Sequence, residues 1–474
     1  MSQARFTTGS TMRHVMVMTL TGSIGLMFTF LVDAATLFWV GQLQDEVLIA
    51  ALGYAGAVQF FTVSSGIGLM IGALTLVSRA LGQGKRDEAR RTATVAMILT
   101  MLVQAVVAGL VVVNRDALLG LFGASGAAAE AASHFLLITV PSLPIMAVGM
   151  TASAVLRAEG DATGAMYTTL IMGATAMVLD PLLIIYLDLG IIGAAVAMVI
   201  SRSTSVFVGL WLVVRKHDLA AKPRLGDFAP VLRPYFVIAG PALLTQMSTP
   251  FGNAVLTRAV AEFGDSAVAG WTVVLRLTTL AFGGIFALSG AIGGIVGQNY
   301  GAALMERVRS TYRDALIFAA CYTLIAWAIM ASITPWIVSI FHLSGEGAEV
   351  LRAFTHIGAG GFIFVGALFC SNAAFNTLGR PLFSTAANWF RDGILMAPAV
   401  AAMTAWFAAP GAVYGQAIAG GLAGLVAALW GWHYINNLEA PVAADPEGSH
   451  SYAPTVSAGK AAAALPLGHG KKEA

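Results

Sequence analysis

Long runs of residues without a charged side chain recur along the chain, and they constrain the fold more than any other feature. The run from Thr92 to Val113, TATVAMILTMLVQAVVAGLVVV, exceeds the roughly 18 apolar residues that a helix needs to cross a bilayer. Only 11% of all residues are charged, compared with roughly 25% in soluble domains. Continuous runs are typical of membrane helices, whereas membrane β-barrels show short alternating segments. The pattern therefore predicts an all-α integral membrane protein.

Charges, glycines and prolines divide the 474 residues into twelve predicted transmembrane helices. The first apolar run continues to Val40, which is too long for the core of a signal peptide, so we interpret it as an uncleaved span. The predicted spans cover residues 14–40, 47–77, 92–113, 131–155, 165–187, 191–214, 235–261, 266–296, 313–334, 349–376, 382–406 and 411–435.

Lysine and arginine are distributed unevenly between the two ends of these spans. With a cytoplasmic N-terminus, 20 of the 26 Lys and Arg residues fall in cytoplasmic tails and connections, and only Arg115 and Arg352 fall in connections on the opposite side. Because basic connections stay in the cytoplasm, we predict a multi-pass protein of the cytoplasmic (inner) membrane with both termini cytoplasmic. The stretch SRALGQGKRDEARR, Ser78 to Arg91, is predicted to be a cytoplasmic loop that helps to hold this topology.

The basic stretch has a second copy 219 residues later. VSRALGQGKRDEARRTATVA, from Val77, aligns with VGQNYGAALMERVRSTYRDA, from Val296, and the same shift aligns Gly160 with Gly379. Two homologous six-helix halves are typical of transporters with a substrate cavity between the halves. The predicted segments are a cytoplasmic tail (1–13), a six-helix lobe (14–214), a cytoplasmic linker (215–234), a second six-helix lobe (235–435) and a disordered cytoplasmic tail (436–474).

Ionisable residues inside the predicted spans are candidates for function, because a charge at the centre of a membrane helix costs roughly 2.5–3.5 kcal/mol. Asp33 and Asp180 are the acidic candidates in the first half. A carboxyl group in an apolar cavity holds a proton more readily than one in water, so both are potential proton carriers. The alternative is a structural ion pair of either aspartate with Arg202 or Arg276, which are secondary candidates.

The two halves differ in these charges. The repeat counterparts of the two aspartates are Gly252 and Ala397. The second half instead contains Arg391 and Asp392, further secondary candidates, which are adjacent in sequence. We therefore expect these two side chains to point in different directions on the helix and to have a structural role. Arg258 lies near the end of a span, where its side chain can reach the interface.

No motif of an enzyme is visible in the sequence. A phosphate-binding glycine loop followed by Lys and Ser or Thr is absent, the eight histidines lack the spacing of metal ligands, and Cys321 and Cys370 lie in apolar stretches. We therefore expect no enzymatic activity, cofactor, metal site or nucleic-acid partner. Any transport must then be driven by an ion gradient or by a partner.

Several motifs, in their order and spacing, resemble the multidrug and toxic compound extrusion (MATE) family. ALGQGKRDEARR and GQNYGAALMERVRS resemble the loops after that family's second and eighth helices, while VLRAEGD, VLDPLLI and IIGAAVAMVIS resemble its fourth-loop, fifth-helix and sixth-helix patterns. The resemblance extends over residues 14–435. It implies twelve helices in two six-helix lobes, which form a V-shaped antiporter that exports organic cations or other amphiphilic compounds in exchange for protons or sodium.

The resemblance also implies ion-coupling residues. Asp180 matches the family's fifth-helix aspartate, which directly precedes a proline. The family's first-helix aspartate stands five residues before the glycine that is Gly41 here. That slot is Thr36, and Asp33 lies three residues earlier on nearly the same helix face, so either residue can take the role. Ala176 replaces a family asparagine near Asp180. The loss of that oxygen weakens a sodium site more than a proton site, which favours protons.

The sequence thus predicts a monomeric, proton-coupled exporter whose partners are membrane lipid and a small-molecule substrate, an organic cation. A sodium-coupled exporter of the same kind is one alternative. A flippase for a lipid-linked precursor is another, although it would need a strongly cationic central cavity to hold phosphate. A membrane scaffold or receptor is a third, and it would have no need for lone carboxylates inside its spans.

Overall fold

The computed structural model describes residues 4–441, and every regular element within this range is a helix. The first half contains α1 Thr11–Gly41, α2 Glu46–Gly82, α3 Arg86–Val113, α4 Arg115–Leu121, α5 Gly126–Thr139, α6 Leu143–Glu159, α7 Ala162–Pro181 and α8 Gly190–Trp211. The second half contains α9 Phe228–Ala261, α10 Asp265–Ala281, α11 Gly283–Gly301, α12 Met305–Ile340, α13 Gly345–His356, α14 Phe362–Thr377, α15 Pro381–Trp389, α16 Met396–Phe407 and α17 Pro410–Asn437.

The prediction of an all-α membrane protein is confirmed. Within residues 4–441, 10 helices are long and apolar enough to cross a membrane, and α10 with α11 forms an eleventh span that is bent by 43°. The region of the remaining predicted span is also helical, from Pro381 to Phe407, and it contains two charged residues near its middle. Of the tail predicted to be disordered over 436–474, α17 includes the first two residues, and residues 442–474 lie outside the described range.

The basic stretch between α2 and α3 is mostly helical, which corrects its interpretation as a loop. α2 continues to Gly82 and α3 begins at Arg86, so only three residues connect them. Asp87 and Glu88 lie in the first turn of α3, and Arg79 lies in the last turn of α2. These charges complement the helix dipoles, so the two helices can extend beyond the apolar runs that defined the predicted spans.

Several spans contain a short segment of other helical geometry. A 3₁₀ segment, Val140–Ser142, separates α5 from α6, and π-helical segments follow α7 (Leu182–Tyr186) and α15 (Phe390–Leu395). Pro141 and Pro181 lie at the first two of these segments, where each removes a backbone N–H donor. Such segments are frequent at functional sites because they leave backbone carbonyl groups free for other partners.

The two halves meet where α2 crosses α11, at the end of the molecule that carries the basic stretch and its repeat; we call this end the basic side. A Cβ atom placed on Gly82 would lie 2.1 Å from the carbonyl oxygen of Gln298, and one placed on Gly301 would lie 2.2 Å from the carbonyl oxygen of Arg79. Residues 82 and 301, like 79 and 298, are related by the repeat. The recurring glycines thus allow the two backbones to touch, as small residues do between membrane helices.

Hydrogen bonds reinforce the contact on the basic side. The Arg79 guanidinium donates to the carbonyl oxygen of Thr377 in the other half, and the Gln298 side chain donates to the carbonyl oxygen of Ala158 at 2.6 Å. The N-terminal segment also joins the halves, because Phe6 is buried and its N–H donates to Gln298 at 2.8 Å while Arg5 donates to Gly160 at 2.9 Å. The halves are therefore tied together at this side.

Contacts between the halves continue from the basic side to the middle of the long helices. A Cβ atom on Gly68 of α2 would lie 2.5 Å from the Cα atom of Leu243 on α9, and one on Gly283 of α11 would lie 3.1 Å from the Met27 side chain on α1. Asp33 lies beyond Met27 on α1, farther from the basic side.

A second polar cluster on the basic side holds the chain between the two halves. Asp161, directly before α7, accepts hydrogen bonds from His217 Nε2 and Lys216 Nζ, both at 2.7 Å, and from the N–H of Gly164 at 2.8 Å. The bonds from His217 and Lys216 hold the pKa of the Asp161 carboxyl group well below its usual range. The first residues of the linker predicted over 215–234 are therefore held in place by their hydrogen bonds to Asp161.

Replacing Asp161 with Asn is expected to reduce the free energy of unfolding by about 1 kcal/mol or more, because the neutral amide still caps the helix but weakens the hydrogen bonds from Lys216 and His217. Since the folded-state pKa is lowered, this stabilisation is present above about pH 4 and is lost only as the pH falls through the lowered value. The difference in melting temperature between wild type and Asp161→Asn at pH 7 measures this stabilisation. Asp87→Asn, at an exposed carboxylate, is the matched control and should change little.

Candidate functional site

The first-half candidates from α1 and α7 come together on the side away from the basic end. Asp33 lies about two turns before the end of α1, and Asp180 lies at the end of α7, directly before Pro181. Asp180 is buried, with 2% of its surface exposed, whereas Asp33 is exposed. The Thr36 hydroxyl forms a hydrogen bond with the Asp180 carboxyl group. The structure thus brings the three primary candidates together, across 144 residues of sequence between Thr36 and Asp180.

The Thr36 hydroxyl group has one hydrogen but two possible acceptors. Its Oγ1 lies 3.1 Å from the carbonyl oxygen of Val32 and within hydrogen-bond distance of Asp180 Oδ2. A single hydrogen can be shared between the two in a bifurcated bond. The hydroxyl donates to the carboxyl oxygen and so partly offsets the burial of Asp180. A carboxylate whose one polar partner within residues 4–441 is a hydroxyl is costly to bury in its charged form.

Neither aspartate forms an ion pair within residues 4–441, although the sequence left a structural pair open for both. Arg202 on α8 lies beyond ion-pair distance from Asp33, where the two opposite charges still attract each other. Arg276 on α10 is exposed and forms no ion pair or side-chain hydrogen bond with other described residues. The structure therefore does not support the expectation that Arg202 or Arg276 forms a direct pair with Asp33 or Asp180.

Arg202 is buried and binds neutral oxygen atoms. Its Nη1 donates to the carbonyl oxygen of Thr139 at 2.8 Å and to Ser142 Oγ at 2.7 Å, and its Nη2 donates to Gln59 Oε1 at 3.3 Å. Sequence reasoning did not identify these three partners, because isolated neutral polar residues are common in membrane helices. Pro141, between Thr139 and Ser142, is the one signal in the sequence that marks the break they flank.

In the second half, Arg391 and Asp392 form a direct ion pair. Arg391 Nε and Nη2 each donate to a carboxylate oxygen of Asp392 at 2.8 Å, and both side chains are buried. The expectation that adjacent residues would point in different directions is wrong here. They lie in a π-helical segment, whose geometry differs from that of the α-helix assumed, and the long arginine side chain folds back. A Cβ atom on Gly252, the repeat counterpart of Asp33, would lie 2.7 Å from Asp392 Oδ1.

Breaking this pair is expected to have a large effect on stability. Arg391→Met leaves the Asp392 carboxylate buried without a cation, which typically reduces stability by about 3–5 kcal/mol. The double variant Arg391→Met/Asp392→Leu removes both charges and should recover most of that loss. Thermal unfolding of the purified variants in detergent measures both effects, with Arg276→Gln, at an exposed arginine, as the control. Equal losses in the single and double variants would contradict the assignment of a neutralised pair.

No group of three or more His, Cys, Asp or Glu side chains within residues 4–441 is arranged to hold a metal ion. The candidate site of the first half is therefore a set of three groups with different environments: an exposed carboxylate (Asp33), a buried carboxyl group bonded to a hydroxyl (Asp180 with Thr36), and a buried guanidinium held by neutral oxygens (Arg202). Such a set can bind and release a proton at the exposed carboxylate while the others keep their positions.

Comparisons with known proteins show similarity over both halves of the chain. The MatE family model matches residues 23–182 and, separately, residues 241–400, so one model describes both halves of the repeat. A protein of Shewanella oneidensis named FAD transporter is 25% identical over 399 residues, which cover 82% of this chain and 87% of that protein. The multidrug export protein MepA of Staphylococcus aureus is 21% identical over 414 residues, covering 86% and 90%.

Solved structures show the same fold. The outward-facing conformation of a multidrug resistance MATE family transporter superposes with a TM-score of 0.85 at 23% identity, covering 92% of this chain and 98% of that one. A MOP superfamily transporter from Pyrococcus furiosus superposes with a TM-score of 0.84 at 24% identity, with the same coverage. Both halves match the family model and the whole fold matches solved members, so the chain belongs to the multidrug and toxic compound extrusion (MATE) family of multi-pass membrane transporters.

Proposed function

We propose that this transporter is a secondary active antiporter that exports organic cations or other amphiphilic compounds in exchange for protons. The observation that carries the proposal is the exposed Asp33 carboxylate, which forms no ion pair among the described residues and lies beside the buried Asp180–Thr36 bond. An accessible carboxylate within a membrane span can attract either a cationic substrate or a proton. The names of the relatives, a multidrug exporter among them, support export of small molecules.

In this proposal the basic side faces the cytoplasm, and the protein is a monomer in the cytoplasmic membrane. The lobes of residues 14–214 and 235–435 move against each other about the linker 215–234, and both termini are cytoplasmic. The concentration of Lys and Arg at this side supports the orientation. The hydrogen bonds between the halves on the basic side support a state that is closed toward the cytoplasm.

The transport cycle follows from the charges. From outside, a proton binds Asp33 and removes the negative charge that holds a cationic substrate, so the substrate leaves outward. The contacts on the basic side then open, the proton leaves inward and a new substrate binds. Substrate must weaken proton binding as much as the proton weakens substrate binding. Asp180 keeps its proton in this scheme and anchors α1 to α7 through Thr36, which assigns the exchange to Asp33 rather than equally to both aspartates.

Two observations favour protons over sodium. Ala176, which is buried on α7 one turn before Asp180, supplies no side-chain oxygen to a metal ion. Asp392, the acidic candidate of the second half, is already neutralised by Arg391 at 2.8 Å. A sodium ion would therefore find few oxygen ligands with free negative charge in either half.

The experiment is uptake of ethidium, a fluorescent organic cation, into liposomes that contain the purified protein. We expect uptake when the lumen is acidic and none above empty liposomes when only a sodium gradient is imposed. Uptake driven by sodium alone would overturn proton coupling. FAD serves as a second substrate because of the relative named for it. No response to either gradient with either substrate would overturn the exporter itself and favour a flippase.

A further inference from the structure

Arg202 carries a permanent charge in the interior of the first half and has no acidic hydrogen-bond partner among the described residues. It lies near the middle of α8, its side chain is buried, and the groups that it binds are a carbonyl, a hydroxyl and an amide oxygen. A buried charge without a counter-charge is strongly unfavourable. The helices α1 and α8 touch, and α7 packs against both. A Cβ atom on Gly173 of α7 would lie 2.9 Å from Val32, next to Asp33, and Thr175 of α7 lies 3.2 Å from Thr204 of α8. Asp33 is therefore the acidic residue of α1 at the level of Arg202. Arg202 therefore has its nearest acidic group outside ion-pair distance, whereas Arg391 forms a direct ion pair with Asp392.

The position of the guanidinium is fixed by three elements. Thr139 and Ser142 flank the 3₁₀ segment between α5 and α6, and Gln59 belongs to α2. The Gln59 amide also donates to Thr139 Oγ1 at 2.8 Å, so the two acceptors from different helices are held together. Because the Arg202 charge cannot move toward Asp33 without breaking these bonds, it acts on the carboxylate from a constant position.

The charges of the site then add up to zero without a metal ion. With a proton on the buried Asp180, as in the proposed cycle, an ionised Asp33 is offset by Arg202 alone. We propose that Arg202 is the fixed counter-charge of Asp33 and supplies the positive charge that a bound sodium ion would otherwise provide, so that the first half takes protons and excludes sodium. This inference rests on the proposed proton coupling and names the residue that determines ion specificity.

Removing the arginine charge should convert the site to one that binds sodium. In Arg202→Gln, an ionised Asp33 is left without a counter-charge, and a monovalent metal ion can supply it. We expect 100 mM NaCl to raise the melting temperature of purified Arg202→Gln by about 2 °C or more over 100 mM KCl. Wild type and Arg202→Lys, which keeps the charge, should show no difference between the salts. The double variant Asp33→Asn/Arg202→Gln should lose the sodium effect.

A second variant keeps the arginine in place in case Arg202→Gln does not fold. Gln59→Glu puts a carboxylate where Arg202 Nη2 now binds the amide oxygen, 3.3 Å away, and so neutralises the guanidinium within its present contacts. It should show the same sodium-specific stabilisation. The absence of a sodium effect in both variants, or its persistence after Asp33→Asn, would overturn the inference.

Melting in sodium and potassium needs no transport, so the two proposals can fail separately. If wild-type liposomes do not respond to a pH gradient but Arg202→Gln alone binds sodium, the proton-driven exporter is wrong and the counter-charge assignment holds. In the liposome assay, Arg202→Gln should gain ethidium uptake driven by a sodium gradient, which wild type lacks. A merely structural role of Arg202 would reduce uptake without creating a response to sodium.

Discussion

An Asp33→Asn variant is expected to lose about 90% or more of its proton-driven ethidium uptake. Asparagine has nearly the same shape as aspartate but cannot bind and release a proton, so the exchanging group of the cycle is removed. The local structure should survive, because Asp33 is exposed and forms no ion pair among the described residues. Uptake into liposomes with an acidic lumen, measured at matched protein content, tests this expectation.

The control for this variant is Asp116→Asn. Asp116 is an exposed carboxylate in the same half, 3.7 Å from Arg115 in the α4 region, and it lies outside the candidate site. Its replacement should leave uptake near the wild-type level. Asp180→Asn should retain more activity than Asp33→Asn, because an amide reproduces a carboxyl group that keeps its proton. If Asp33→Asn transports more than half as fast as wild type, Asp33 is not the exchanging group.

A Gly82→Ala variant is expected to reduce transport about tenfold or more by a different route. The added Cβ atom would lie 2.1 Å from the carbonyl oxygen of Gln298. The atoms nearest to it are backbone atoms of Gln298, which cannot move away as a flexible side chain could. The halves then cannot close on the basic side, although each half can still fold. Gly301→Ala, at the repeat-related position, should have the same effect. Gly56→Ala is the control on the same helix, since a Cβ atom there meets nothing within 4 Å.

Closure can be measured directly with a buried residue next to the crossing. Ser78 is fully buried on the basic side, so a Ser78→Cys thiol in a Cys321→Ser background should react slowly with a maleimide dye. In Gly82→Ala the same thiol should react several times faster, because the halves are held apart. An unchanged labelling rate together with reduced transport would show that the glycine acts on something other than closure.

The sequence was sufficient to predict the features that depend on amino-acid composition and on the order of residues along the chain. Uncharged runs identify the spans because hydrocarbon excludes charge wherever a helix crosses it. The repeat and its glycines predicted two similar halves, and a family model that matches each half agrees with that prediction. Asp33, Asp180 and Arg202 stood out because charges inside spans are rare.

The sequence misjudged features that depend on local helix geometry. The basic stretch looked like a loop because its charges end the apolar run, yet Asp87 and Arg79 stabilise the helix ends on which they lie. Arg391 and Asp392 looked divergent because an ideal α-helix separates neighbours by about 100°, which a π-helical segment does not preserve. Propensity and spacing do not show where a membrane helix departs from regular geometry.

The sequence by itself thus determined the class of the protein, its spans, its repeat and the residues worth examining. The tertiary structure alone decided which of them meet: Thr36 with Asp180, Arg202 with neutral oxygens, Arg391 with Asp392, and Gly82 with Gln298. The reason is physical. The cost of placing a charge in a membrane is a property of each residue, whereas its compensation depends on the distance to groups on other helices, and only packing sets that distance.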